Sequence, residues 1–293
     1  MLAIRGVRFR FPVRYRVVWV ALAVLLIFVE ATSPATLGGT SMKLITALAG
    51  VLLIASIGQM LIVITGGLDI TVASIMTLSG GIVVRETQGA NSQLLRGVLI
   101  AIGIALGIGL VNGVVIVLLR LNALIVTLAM SSIVTGGLIV WAGVTFSTNG
   151  TVPSTLHHFS AQSIGPLNAI GLTAIAICLI LASILRGTLL GRNFLAAGTN
   201  PVAARIIGIR VDVYRVSAYA VGGVFYALAG LLLAGYVNTP DYTLGSPYLL
   251  LTFVTVALAG AALSGGPASA LCLAGSSFFL ATLNEYLAVR GIS

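Results

Sequence analysis

A chain of 293 residues that is 59% hydrophobic and only 7% charged, with a mean hydropathy of +1.16, is not a water-soluble domain, since soluble domains carry roughly 25% charged residues. Its net charge of +9 invites a nucleic-acid reading, but the arginines are confined to short stretches between apolar runs, which is how a membrane protein distributes them. Nucleic acid is therefore excluded as a partner, and the lipid bilayer takes its place.

Apolar runs of roughly 20 residues recur along the whole sequence, the signature of membrane-crossing helices. They predict an all-α fold, a polytopic transmembrane helical bundle in a single domain, residues 1–293. Nine spans are expected, at 17–35, 44–64, 70–84, 97–119, 122–142, 167–185, 214–236, 248–264 and 268–285. The first follows Arg5, Arg8, Arg10, Arg14 and Arg16 and ends before Ala31-Thr32-Ser33-Pro34-Ala35, so it also resembles a signal peptide; with eight more spans behind it, an uncleaved first helix is the better reading. Alternating from a cytoplasmic N-terminus puts those arginines, Arg120 and the arginines from Arg186 to Arg215 inside, leaving Lys43, Arg85, Arg96 and Arg290 outside, as the positive-inside rule asks. The stretch from Gly143 to Pro166 is then an outer loop, and nine spans leave the C-terminus outside. Gly103 and Gly107, like Gly109 and Gly113, are spaced four apart, which suits close helix packing.

Few residues in the spans can do chemistry. Asp69, in Gly66-Gly67-Leu68-Asp69-Ile70-Thr71-Val72-Ala73-Ser74, is a carboxylate near membrane depth, where charge is expensive and is usually paired or functional. It either serves transport or caps a helix starting at Ile70 by accepting backbone N–H groups. Asn112 is a second polar candidate for the transport path, and Glu30, Asn284 and Glu285 lie toward span ends. His157 and His158 fall in the outer loop, Cys178 and Cys272 inside spans, and neither HExxH nor CxxC spacing occurs, so no metal and no cofactor is expected. No serine–histidine–aspartate ordering suggests a nucleophile, and no glycine-rich phosphate loop of the P-loop type is present. No catalytic residue is assigned. An ion-driven carrier needs buried coordinating or titrating groups, and these are scarce, so energy for transport must come from another chain.

The polar interruption at residues 186–213 carries more than a connection needs. Thr199 or Asn200 is a good N-cap and Pro201 fits the first helical position. Val202 to Ile207 continues a helix of about seven residues, about 10 Å long, and Gly208 supplies a left-handed stop. Val202 and Ile206 form an apolar stripe, with Arg205 and Arg210 beside it. A helix this short is not stable alone; it needs a surface, on its own bundle or on a cytoplasmic partner.

These residues resemble a family. Gly191-Arg192, Gly198, Asn200, Ala203-Ala204-Arg205 and Gly208-Ile209 are similar to the cytoplasmic coupling segment of permease subunits in bacterial ATP-binding-cassette importers of the ribose/simple-sugar type. The Gly66–Ser74 segment is similar to that family's Gly-Gly-Leu-Asp-Leu-Ser-Val-Gly-Ser, and the stretches Asn122 to Gly137 and Tyr219 to Gly230 look familiar too. The resemblance implies a type II-like importer permease that forms a small-sugar pathway in the bacterial inner membrane. Its partners would be a second permease subunit (identical or not), cytoplasmic ATPase subunits and a periplasmic substrate-binding protein. It implies that Arg192, Gly198, Asn200, Pro201, Ala204, Arg205 and Gly208 meet the ATPase, and that Asp69 marks a turn near the transport path. Two departures stand out. Tyr248-Leu249-Leu250-Leu251 lacks the family's usual Tyr-Glu-Leu, with Ala259-Gly260 for Gly-Gly, and the chain stops before the family's usual tenth span. The related branched-chain amino acid permeases share this layout and remain an alternative; an ion-coupled carrier or membrane enzyme would have to use Asp69.

Overall fold

Backbone amides in hydrocarbon have no water to bond, so apolar runs close their hydrogen bonds internally as helices. In the computed structural model, which describes residues 13–148, 150–262 and 265–292, every one of the nine apolar segments is helical. Arg5, Arg8 and Arg10 lie outside the described residues. Helix α1 covers Val13–Thr32, and after a 3-10 turn at Pro34–Leu37 come α2 (Gly39–Ile64) and α3 (Val72–Thr87). Then follow α4 (Leu94–Leu118), α5 (Ala123–Thr148) and α6 (Ser154–Ala161). A small antiparallel hairpin, β1 (Ser163–Ile164) and β2 (Leu167–Asn168), leads into α7 (Ala169–Gly187). The polar interruption contributes α8 (Leu189–Thr199) and α9 (Pro201–Ile206), and α10 (Val211–Val237), α11 (Tyr248–Leu258) and α12 (Ala270–Val289) complete the bundle. Among the described residues six helices, α2, α4, α5, α7, α10 and α12, are long and apolar enough to cross a membrane.

Helix α2 is the axis. Its most apolar window is 94% buried, against 17% for α5, and α7, α10, α11 and α12 pack around it. Helix α10 lies across α2, α3 and α4, and small residues let it do so. A Cβ at Gly58 would fall 2.8 Å from the Gly222 carbonyl oxygen, and one at Gly113 would meet Val216 at 2.9 Å, so the backbones are near contact. Gly109 likewise faces Tyr219 and Ala220, but Gly103 and Gly107 have open space beside them; only one of the two spaced glycine pairs is a packing seam.

Three boundaries differ from the sequence reading. Helix α3 begins at Val72, not Ile70, because Asp69 is spent on a turn. The eighth segment ends at Leu258 rather than residue 264: Gly260, Gly265 and Gly266 all take positive φ (84°, 97° and 118°), a conformation open to glycine at no steric cost, and the Gly266 amide donates to the Ile64 carbonyl at 3.0 Å. The stretch expected to form an outer loop is not bare, since α5 runs on to Thr148 and α6 follows. His157 belongs to α6, where its Nδ1 donates to the Gly235 carbonyl at 2.9 Å, so it is a strut onto α10 rather than a solvated loop residue.

The two ends of the bundle differ in charge. One gathers Arg120, Arg186, Arg192, Arg205, Arg210 and Arg215 around the C-terminus of α2, with Asp212 their exposed acid. The other carries Lys43, Arg85, Arg96 and Arg290 together with Glu30, Glu86, Asp241 and Glu285.

Candidate functional site: a docking element at the basic end

The interruption after α7 is built as two helices with a stop. Thr188 caps α8, its hydroxyl accepting from the Gly191 amide at 3.1 Å. One side of α8 buries Phe194, Ala197 and Gly198. Phe194 meets Tyr214 of α10 edge-on, ring centroids 6.3 Å apart. A Cβ on Gly198 would strike the Ile64 carbonyl oxygen, so this glycine seats α8 on the end of α2.

Asn200 then caps α9: its side-chain oxygen accepts from the Ala203 amide at 3.0 Å, with Pro201 in the first turn. The helix stops as a Schellman motif, Ile209 N–H donating to the Ala204 carbonyl (2.9 Å) and Gly208 N–H to that of Arg205 (3.0 Å). Gly208 takes φ 85° with nothing near a Cβ, so the demand there is conformational, not steric. Ala204 is buried with Ala197 and Val211; it is the foot on which α9 stands. Arg205 pairs with Asp212 of α10 at 2.7 Å.

What α9 leaves uncovered is apolar. Val202, Ile206 and Ile207 are 68%, 80% and 73% exposed. Leu189, Leu190 and Val213 are exposed nearby, and a groove of about 640 Å³ lined by Leu190, Asn193, Gly208, Arg210, Tyr214 and Ser217 runs beside them. On a lipid-facing helix such exposure needs no explanation. Here it sits at the arginine-rich end, on a helix too short to stand alone, which makes it the candidate interaction surface. The residues singled out from the sequence therefore divide. Arg192, Asn200, Arg205 and Gly208 are exposed, Pro201 is half-buried, and Gly198 and Ala204 face the bundle. Ile207, Leu189, Leu190 and Val213 were missed; apolar residues beside arginines in an otherwise polar stretch were the available signal.

Asp69 is fully buried in the turn between α2 and α3. Its Oδ1 accepts from the Thr71 amide at 2.8 Å and the Thr71 hydroxyl at 2.6 Å, holding the entry to α3. Its Oδ2 has no hydrogen-bond partner among the described residues. Tyr219 of α10 braces the same turn, its hydroxyl donating to the Leu68 carbonyl at 3.4 Å. Asn112, on the α4 face that meets α10, is also fully buried, with neither amide atom bonded among the described residues. The structure does not join Asp69 or Asn112 to the α8–α9 element. Cys178 and Cys272 are buried and not joined in a disulfide; the Cys178 thiol donates to the Ala270 carbonyl at 3.0 Å. No group of three or more His, Cys, Asp or Glu suited to a metal occurs among the described residues.

Comparison with known proteins gives this architecture a family. The family model described as "Branched-chain amino acid transport system / permease component" matches residues 41–290. The autoinducer 2 import system permease protein LsrC of Enterobacter sp. (strain 638) is 28% identical over 268 residues, 91% of this chain and 77% of that protein. LsrC of Salmonella typhi is 25% identical over 272 residues, 93% and 78% of the two chains. The ribose import permease protein RbsC of Escherichia coli (strain K12) is 29% identical over 282 residues, 94% of this chain and 86% of that one. No solved structure matches.

Proposed function

The chain belongs to the family of branched-chain amino acid transport system permease components, and from that premise we propose that it forms the membrane pathway for a small sugar in a binding-protein-dependent importer. Cytoplasmic ATPase subunits energise it, a second permease subunit completes the pathway, and a periplasmic binding protein delivers the sugar. It sits in the bacterial inner membrane as a multi-pass protein of about nine spans, with the N-terminus and the arginine-rich end in the cytoplasm. The sugar rests on the relatives, whose names specify ribose import and autoinducer 2 import.

One observation carries the coupling role: α9 is capped, stopped and footed, yet points Val202, Ile206 and Ile207 away from the bundle. A helix held that firmly with its apolar side uncovered is shaped for a groove on another protein. Among the described residues Asp69 is the one fully buried charged side chain, and an external ATPase removes the need for more, which supports the same reading.

The test reconstitutes the permease with its ATPase and binding protein in liposomes. Ile206→Glu lies outside the core, so the bundle should fold and unfold as the wild type does, while sugar-stimulated ATP hydrolysis and uptake fall at least tenfold. Undiminished coupling in that variant would sink the proposal. The family description favours a second reading, a branched-chain amino acid as cargo. Uptake of labelled ribose against labelled leucine separates the two.

A further inference from the structure

A second cavity at the arginine-rich end has a different chemistry. It holds about 300 Å³ between the last turn of α4, the first residue of α5, α10 and the turn that follows α2. Arg120, Arg215, Tyr219, Thr65 and the backbone of Gly66 and Gly67 line it, and no Asp or Glu does. Neither arginine is in an ion pair among the described residues, where the pairs are Arg96–Glu86 and Arg205–Asp212. Arg215 is half-buried, and its Nε is hidden from solvent with no hydrogen-bond partner among those residues. Leaving a buried donor of a charged group unpaired is costly, so a matching acceptor would be held strongly.

The surroundings favour an anion. Arg120 sits in the turn between α4 and α5 with φ 55°, a backbone shape that residues other than glycine adopt sparingly. Asn122 caps α5, its side-chain oxygen accepting from the Leu124 amide, and the positive end of the α5 dipole opens at Ala123 into the cavity. The nearby acid, Asp69, does not line the cavity; its Oδ1 accepts both Thr71 donors. Two guanidinium groups and a helix start suit the tetrahedral oxygens of phosphate, which arginine binds with paired N–H groups, while the Tyr219 ring walls the cavity.

We propose that the cavity bounded by Arg120, Arg215, Tyr219 and the Gly66-Gly67 turn binds a phosphate group, either that of an anionic phospholipid headgroup or free phosphate. Basic pockets between the ends of membrane helices take lipid headgroups by the same chemistry. Bound there, phosphate ties the α4–α5 turn and α10 to the turn that precedes Asp69. The site uses neither α9 nor the transported molecule, so it stands apart from the sugar reading.

The test uses the full chain in nanodiscs. Thermal unfolding is compared in phosphatidylcholine alone, in phosphatidylcholine with added phosphatidylglycerol, and in phosphatidylcholine with sodium phosphate in place of sodium chloride at equal ionic strength. Wild type should unfold several degrees higher in one or both anionic conditions. That shift should vanish in R120Q and R215Q, largely persist in R215K, and be unchanged in R192Q, whose arginine lies outside the cavity. A shift with phosphatidylglycerol alone assigns the phosphate to lipid, and one with sodium phosphate assigns it to solution. No shift in wild type, or an equal shift in R120Q, overturns the proposal. Arg120 is exposed, so R120Q remains informative even if R215Q fails to fold.

Discussion

The Asp212 carboxylate lies 2.7 Å from the Arg205 guanidinium and ties the first turn of α10 to α9 across the Gly208 stop. Both side chains are about half exposed (53% and 51%), so the pair contributes only about 0.2–1 kcal/mol. Arg205→Ala should leave unfolding of the bundle unchanged. Arg205→Glu sets like charges together and loosens α9. Exchanging the charges, as Arg205→Glu with Asp212→Arg, should restore protection of the α9 amides from hydrogen exchange but not ATPase stimulation, if Arg205 meets the ATPase. Full recovery of stimulation in the exchanged protein would reduce Arg205 to a local brace.

Gly208 separates backbone demand from packing. Its φ of 85° is left-handed and nothing lies where a Cβ would go. An L-residue there costs about 1–2 kcal/mol, which lowers the population of the stopped α9 by about 5–30-fold. Gly208→Ala should weaken ATPase association by that order, and Gly208→Asn by less, since asparagine tolerates the conformation. Titrating the ATPase subunit onto the reconstituted permease reads both. Equal binding by all three proteins would mean that the stop does not position the docking face.

Gly198 lies ten residues away and makes the opposite demand. It is buried, and an added Cβ meets the Ile64 carbonyl, an atom fixed at the end of the most buried helix. Gly198→Ala should destabilise by about 1–3 kcal/mol, and Gly198→Val should fail to give a monodisperse protein in detergent. Size-exclusion profiles and thermal unfolding check this. If Gly198→Ala unfolds as the wild type does but no longer couples, Gly198 belongs to the interface rather than to the seat of α8.

The legible and illegible parts of this molecule divide on physical grounds. Asn200, Pro201 and Gly208 announced α9 because caps and stops are local hydrogen-bond devices, written into a few adjacent residues. Helix α8 went unread: Phe194, Ala197 and Gly198 lie within the polar interruption, although they make the buried face that seats α8 and carries α9. The centrality of α2 was invisible for a different reason. Its hydropathy of 2.4 hardly differs from the 2.2 of α5, yet one is 94% and the other 17% buried. Lipid is as apolar as a protein core, so composition does not say which side of a helix faces which. The Arg120–Arg215 cavity was also beyond the sequence, because Arg120 lies in the α4–α5 turn and Arg215 on α10, and the two line one cavity only when α4 and α10 pack.

Asp69 decides between a structural carboxylate and a working one. Its Oδ1 takes both Thr71 donors, while Oδ2 has no partner among the described residues. Asparagine keeps an acceptor oxygen in the first position and removes the buried charge. Asp69→Asn should therefore hold the α2–α3 turn, unfold no lower than wild type and transport with an unchanged pH profile. Asp69→Ala leaves the Thr71 amide unpaired in a buried turn, at a cost of about 1–3 kcal/mol, and should lower both stability and yield. The informative comparison is uptake against thermal unfolding in the same preparations. If Asp69→Asn unfolds normally but loses transport, the free Oδ2 is acting on cargo or proton, and energy coupling through α9 is not the whole mechanism. If uptake and stability move together across the two variants, Asp69 serves transport only by holding the entry to α3, in the turn that follows the same end of α2 on which α8 is seated.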